Sequence, residues 1–467
     1  MSSTPETLAS AQPLTSDDLT GFFRRAERPD PAHHKVGTEH EKFGVVLDDR
    51  GVRPVEYRAH VLAVMSTFME RFGWRPSPER GDDGALIALE RDGASITLEP
   101  GGQFELSGKP LANVHQTCQE FTQHQRELHE ASVELGLAWF AAGFHPFATR
   151  DEVNWMPKPR YAVMRAFLPT RGQRGLDMML RTCTVQANFD YASEVQCGRR
   201  FRVALGVSGL STALFANSPY REGEDRGFAS LRSDNWTDVD PARCGLLPWA
   251  FEGEFSYQRY VDWALDVPMF FIRRSGRYIP THAPFRAYLA QGFVDADGTK
   301  HTPTRGDWEL HLSTLFPEIR LKPFLEVRGC DSVPHRIVCA LPALWKGILY
   351  DDDALEAAWD LVRDLSFDER RELWLECRRD ALRAPRTREL CAELLKIARA
   401  GLRRAAILDS RGRDETPFLD CLDELVAAGT SLADLARSSL GPSPGRGVAA
   451  RRAFVRAFYF AGTNPED

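Results

Sequence analysis

An α+β body followed by a helical C-terminal portion is what this sequence predicts. Three observations predict it. Short β-like runs with period-two alternation lie between Gly/Pro turns as far as about residue 350. A tight Pro100-Gly101-Gly102 turn joins two of those runs. After Asp351 apolar residues recur at helical spacing: Leu355, Ala358, Val362 and Leu365, then Leu390, Leu394, Ala398 and Leu402. The 467 residues suffice for one large domain or two to three ordinary ones. The hydrophobic content of 43% and charged content of 27% exclude a disordered or membrane chain. A net charge of −7 argues against a nucleic-acid partner, and an anionic ligand would need a local basic cluster or metal ions.

In chain order, residues 1–14 read as a loose segment, 15–350 as the α+β body and 351–467 as helices packed on it. No targeting segment is expected, because the first 23 residues lack Lys and Arg and no apolar stretch follows. The apolar stretches 135–144 and 203–216 are too short to span a bilayer, so no membrane partner is expected. Nine scattered cysteines without CxxC or Cys/His spacing predict a reduced cytosolic setting. Ser366 with Glu369, and Ser431 with Asp434, form capping-box patterns that open helices, and 441–447 reads as a flexible loop.

Four segments share one design. Along a strand alternate side chains face alternate ways. Glu39 and Glu41 therefore share a face in 37–43, as do Thr97, Glu99, Gln103 and Glu105 in 96–106, with Ile96, Leu98, Phe104 and Leu106 behind. In 182–190 the polar face carries Thr182, Thr184, Gln186, Asn188 and Asp190; in 320–328 it carries Arg320, Lys322, Glu326 and Arg328. Two readings stand. An antiparallel sheet with one solvated face gives this alternation unaided. Glu is depleted from strands, however, and gathered carboxylates repel one another unless cations neutralise them. Such oxygens suit Mg²⁺ or Mn²⁺, which bridges protein carboxylates to phosphate, so the sheet also reads as a cup for a metal–nucleotide complex.

Other chemistry is poorly represented. No GxxxxGK[ST] loop, GxGxxG fingerprint or GxSxG elbow is present. His33 and His34 read as surface residues, and His145 as either a ligand contact or a hydrogen-bonded turn histidine. In 156–161 (MPKPRY) two cations sit among prolines, a rigid presentation for an anion or a plain surface loop.

The strings GTEHEKFGV (37–45), ITLEPGGQFELSG (96–108), MPKPRYAVMRAFLP (156–169), GLDMMLRTCTVQANFDY (175–191), LRSDNW (231–236) and FPEIRLKPFLEVRG (316–329) resemble glutamate–cysteine ligases of the plant and proteobacterial type. The resemblance implies a curved antiparallel sheet similar to the catalytic domains of glutamine synthetase and the guanidino kinases, lined by metal ligands and with helices outside. It implies ATP and Mg²⁺ as cofactors, and glutamate and cysteine as substrates joined through a γ-glutamyl phosphate, the first step of glutathione synthesis. Alternatives are the same ligation serving ergothioneine or another amine, and an inactive glutamate- or nucleotide-binding relative.

By the family pattern Glu39, Glu41, Glu99, Glu105, Gln186 and Glu326 are metal ligands, with Gln103 and Asn188 as polar companions. Arg160 and Arg232 match the arginines that hold substrate carboxylates. Arg181, Lys322 and Arg328 are read either as phosphate contacts or as braces for neighbouring carboxylates, and Trp236 as a pocket wall or a core residue. Cys118 and Cys339 match a plant pair that forms a disulfide, two buried thiols being the alternative. Segment 278–299 lacks the cysteine of the plant dimer switch, so a monomer is expected; the lack of a transit peptide leads to the expectation of a bacterial cytoplasm. Replacing Glu99 or Glu326 by Gln is expected to impair turnover with little loss of fold.

Overall fold

The computed structural model describes residues 11–458. The ten strands of its main sheet are numbered here in chain order: β1 (Val36–Asp48), β2 (Gly51–Pro54), β3 (Arg75–Pro76), β4 (Ala88–Arg91), β5 (Ala94–Leu98), β6 (Phe104–Ser107), β7 (Leu137–Phe140), β8 (Val185–Phe189), β9 (Ile319–Leu321) and β10 (Leu325–Val327). The spatial order is β9-β10-β8-β1-β6-β5-β4-β3, with β2 and β7 also on β1, and every pairing is antiparallel.

Register explains why the acidic residues gather. Directly opposed residues in an antiparallel ladder point to the same side. Glu41 faces Glu105, Glu39 faces Gln186, Asn188 faces Glu326, and Glu326 faces Arg320. Thr97 faces Glu105 on the other flank. The opposite side is mainly apolar, with Ile96, Leu98, Phe104, Leu106, Val185, Phe189, Leu325 and Val327 all buried, though β1 adds buried Thr38, His40 and Lys42 to it. The helices Val114–Ser132, Glu194–Leu214 and Ala340–Leu349 cover it. Beyond Glu41 the same side of β1 turns apolar, and Phe43 and Val45 join a second core with Phe140, Phe147 and Phe454. The acidic floor ends there.

The C-terminal helices appear as expected after Asp351, and both capping boxes form. Helices Ala340–Leu349 and Pro385–Ala405 touch backbone to backbone at Gly347 and Gly401, where a Cβ on either would strike the other helix. The main departures concern segments expected to be free. Residues 1–10 of the loose segment lie outside the described residues. Leu14 N–H donates to Pro303 O (3.1 Å) and Arg305 N–H to Gln12 O (3.0 Å), so the remainder is tied down. The loop 441–447 is irregular but pinned: Asp225 N–H donates to Pro442 O (2.9 Å) and Gly445 N–H to Gly223 O (3.0 Å). His34, expected at the surface, is buried, with its Nε2 2.8 Å from Arg28 O. His145 is a hydrogen-bonded turn histidine, its Nδ1 accepting from Ala148 N–H (3.1 Å). Among the described residues no helix is long and apolar enough to cross a membrane.

Candidate active site

The polar side of the sheet opens into a pocket of about 710 Å³, counted to its open mouth. Glu41, Glu99, Gln103, Thr182, Thr184 and Gln186 form its floor. Arg160, Arg232 and Arg328 form a cationic wall, and Met164, Met178, Met179, Trp236, Phe271 and Phe316 supply apolar cover. Local structure sets each of these. Pro159 begins the helix Pro159–Phe167, and its fixed φ suits that first position, so Arg160 is held in the opening turn beside the floor. Tyr161 anchors that turn by donating its hydroxyl to Leu98 O (2.7 Å), on the strand that leads to Glu99. Arg232 sits in the short helix Leu231–Asn235, capped by Ser230. Its Nη2 donates to Arg328 O (2.9 Å).

The floor is strained electrostatically. Burial, then Glu99 and Glu105, pushes the Glu41 carboxyl well above the ordinary range. Burial, then Glu326 and Glu105, raises Glu39. Gln186 Nε2 and Asn188 Nδ2 donate to the Glu39 carboxylate (3.2 and 3.1 Å). Their carbonyl oxygens, Gln186 Oε1 and Asn188 Oδ1, are buried without a hydrogen-bond partner among the described residues. Among the described residues no three His, Cys, Asp or Glu side chains stand close enough to hold an ion by themselves. The oxygens that do converge are mixed, carboxylate and amide, and Mg²⁺ usually takes only one or two protein carboxylates beside phosphate oxygens and water. On that criterion the donor set fits Mg²⁺.

The site residues expected from sequence divide by position. Glu41, Glu99, Gln103, Gln186, Arg160, Arg232, Arg328 and Trp236 line the pocket; Glu39, Glu105, Asn188 and Glu326 lie on the same side of the sheet next to it. Glu326 is engaged otherwise than expected. Arg320 grips it through Nε and Nη2 (2.7 and 2.9 Å), and Lys322 (3.1 Å) and Arg328 (2.9 Å) complete the set. Burial alone would raise this carboxyl, yet Arg320, Lys322 and Arg328 hold it well below the usual range. Gln103 spends its side chain on backbone: it accepts from Gly101 N–H and donates to Met179 O and Thr182 O. Arg181 is turned away from the pocket. It donates to Asp177 (2.7 Å), Glu222 (2.8 Å) and Ala148 O (3.0 Å). Trp236 faces Arg328 and Arg232, 5.6 and 5.9 Å from ring to guanidinium, and meets Phe316 edge-on.

Two charged groups near the pocket were not among the site residues expected from sequence. Lys158 is buried, its Nζ has no hydrogen-bond partner among the described residues, and burial, then Arg160, lowers it to about 8. Its signal was present in the MPKPRY string. Glu79 is buried near Lys158 and Arg160 but comes from an irregular turn, where no periodicity could mark it. Cys118 and Cys339 are joined as a disulfide with Cα atoms 5.8 Å apart.

A carboxylate floor, an arginine wall and apolar cover define a pocket for a small, multiply charged substrate handled away from water. The sequence matches glutamate–cysteine ligase family 2 over residues 35–451. Chloroplastic glutamate–cysteine ligases of Arabidopsis thaliana and Oryza sativa subsp. japonica (ligase B) are 42% and 41% identical to it over 436 residues. Those matches cover 92% of this chain and 81% and 85% of theirs. A solved glutamate–cysteine ligase of Francisella tularensis in complex with AMP aligns with a TM-score of 0.49 at 12% identity, covering 94% of this chain and 90% of that one. The chain belongs to glutamate–cysteine ligase family 2. The expected bacterial cytoplasmic setting is overturned: the plant relatives that match are chloroplastic enzymes.

Proposed function

We propose that the chain joins the γ-carboxylate of L-glutamate to the amine of L-cysteine at the expense of ATP, as the first step of glutathione synthesis. One observation carries this reading: in a chain of this family, three arginines face a carboxylate floor across one pocket. A free carboxylate is a poor acyl donor. Attack of its oxygen on the γ-phosphorus of ATP expels ADP and leaves an acyl phosphate, and attack of the amine on the acyl carbon then expels phosphate. Both steps gather negative charge on oxygen, which positioned cations stabilise.

The chain's own residues divide that work. Arg160 and Arg232 hold substrate carboxylates, their planar forks matching a carboxylate pairwise. Arg328, braced on Glu326, and Lys322 are the cations beside the floor available to phosphate oxygens. The apolar cover of Met164, Met178, Met179, Phe271 and Phe316 excludes water, which protects an acyl phosphate from hydrolysis. Mg²⁺ would be held by oxygens of Glu39, Glu41, Glu99, Glu105, Gln186 and Asn188, and when bound it neutralises charge on the nucleotide phosphates. The chain acts as a monomer, a reading supported by the lack of cysteine in segment 278–299.

The test is ADP release, coupled to a spectroscopic readout, with glutamate and a panel of amines at fixed Mg–ATP. Release dependent on cysteine is expected. Strong preference for another amine would overturn the substrate assignment, and Mg–ATP binding without turnover would identify an inactive relative.

A further inference from the structure

The carboxylate of Asp331 lies just past β10, is fully buried and is held by one backbone N–H and two serine hydroxyls. Its Oδ2 accepts from Asn217 N–H (2.8 Å) and Ser218 Oγ–H (2.7 Å), and its Oδ1 from Ser230 Oγ–H (2.7 Å). Each hydroxyl, its proton thus committed, turns a lone pair toward the helix Leu231–Asn235. Ser218 Oγ accepts from Arg232 N–H (3.2 Å), and Ser230 Oγ accepts from Ser233 N–H (3.1 Å). The other end of Arg232 is tied three residues upstream of Asp331, where Nη2 donates to Arg328 O (2.9 Å). Both the backbone and the guanidinium of Arg232 are therefore referenced to one short exit segment of the sheet. The same segment fixes the floor, since Thr184 Oγ1 donates to Cys330 O (2.7 Å). Gly143 completes the arrangement, because a Cβ there would collide with the Asp331 carboxylate.

We propose that Asp331 is a positioning residue for the substrate-binding arginine: through Ser218 and Ser230 it sets the direction from which Arg232 meets a substrate carboxylate. This rests on the reading of Arg232 as a carboxylate holder. An Asp331→Asn side chain keeps the shape but presents an amide N–H to one of three donors, so one hydroxyl must turn and the helix start shifts. A roughly tenfold rise in the KM of one amino-acid substrate is expected, with the KM of ATP unchanged. Ser230→Ala should move the same KM in the same direction, and Ser230→Thr, which restores a hydroxyl, should recover it.

The deciding experiment is a double-mutant cycle of Asp331→Asn with Arg232→Lys, read as KM for glutamate, cysteine and ATP. If Asp331 acts through Arg232, the double variant is no worse than Arg232→Lys alone. Additive effects, or an equal rise in all three KM values, would overturn the positioning role and leave Asp331 a general support of the fold. Arg232→Lys with unchanged KM for both amino acids would refute the arginine's own assignment instead. Where Asp331→Asn does not fold, the Ser230 pair carries the same comparison.

Discussion

Glu326→Gln separates two roles that one carboxylate could play. The side chain is fully buried and bridges Arg320, Lys322 and Arg328, the first through two hydrogen bonds. An amide keeps the size but removes the charge, leaving buried Arg320 and Arg328 beside a neutral group that must aim an N–H at one of them. Breaking a buried ion pair in this way costs about 3–5 kcal/mol. Unfolding entropy near 60 °C is about 2.1 cal/mol/K per residue, so a chain of 467 residues has about 1 kcal/mol/K and its Tm falls by about 3–5 °C. The structure thus replaces the earlier expectation of a nearly intact fold, because Arg320 and Arg328 are both buried beside the lost charge. Thermal and urea unfolding of purified variant and parent, without Mg²⁺, measure the effect. A Tm within 0.5 °C of the parent, together with a raised Mg²⁺ requirement, would refute the ion-pair account and return Glu326 to the metal-ligand set.

Glu99→Gln, in the pocket floor, is expected to leave Tm unchanged and raise the Mg²⁺ concentration for half-maximal activity; activity titrations at several Mg²⁺ levels check it. Arg232→Lys loses the fork, and steady-state kinetics should show a roughly tenfold higher KM for one amino acid with kcat less affected. Burial, the largest cause, lowers His145 and His311 to about 3 in the folded chain. The unfolded chain therefore takes up these protons first as pH falls from about 6.5 toward 3, and stability present above that window is lost through it. Each group contributes a slope of up to about 1.4 kcal/mol per pH unit. His311→Gln, which retains a donor for Ala264 O, should flatten the pH dependence of the unfolding free energy from urea titrations by that much, and an unchanged slope would refute it. Reduction of Cys118–Cys339, which encloses a separation of 221 residues, should cost up to about 5 kcal/mol in the chain-entropy account, read as a lower Tm in dithiothreitol.

The acidic sheet face was legible because period-two alternation survives translation into register: Glu39, Glu41, Glu105, Gln186 and Asn188 share one side. Both capping boxes were legible for the same local reason. What alternation could not convey was company. Run 320–328 folds back on itself between β9 and β10, so Arg320 returns opposite Glu326 and occupies it. Arg181 closes a helix instead of opening a strand, and its guanidinium meets Asp177 one helical turn earlier. Glu79 and Asp331 lie in irregular backbone, where burial and partners are decided by residues tens or hundreds of positions away.

Strand β1 spans 13 residues and hydrogen-bonds to β2, β6, β7 and β8, while β10 reaches it only through β8. A nascent polypeptide leaving the ribosome therefore carries Glu39 and Glu41 long before Arg320 and Arg328 exist to balance their neighbours. At about 5–20 residues per second, the interval between Glu41 and Val327 is roughly 15–60 s. Until then the half-made sheet holds clustered negative charge with an open edge at β8, so chains interrupted before that point should be degraded or captured by chaperones and contribute no partial activity.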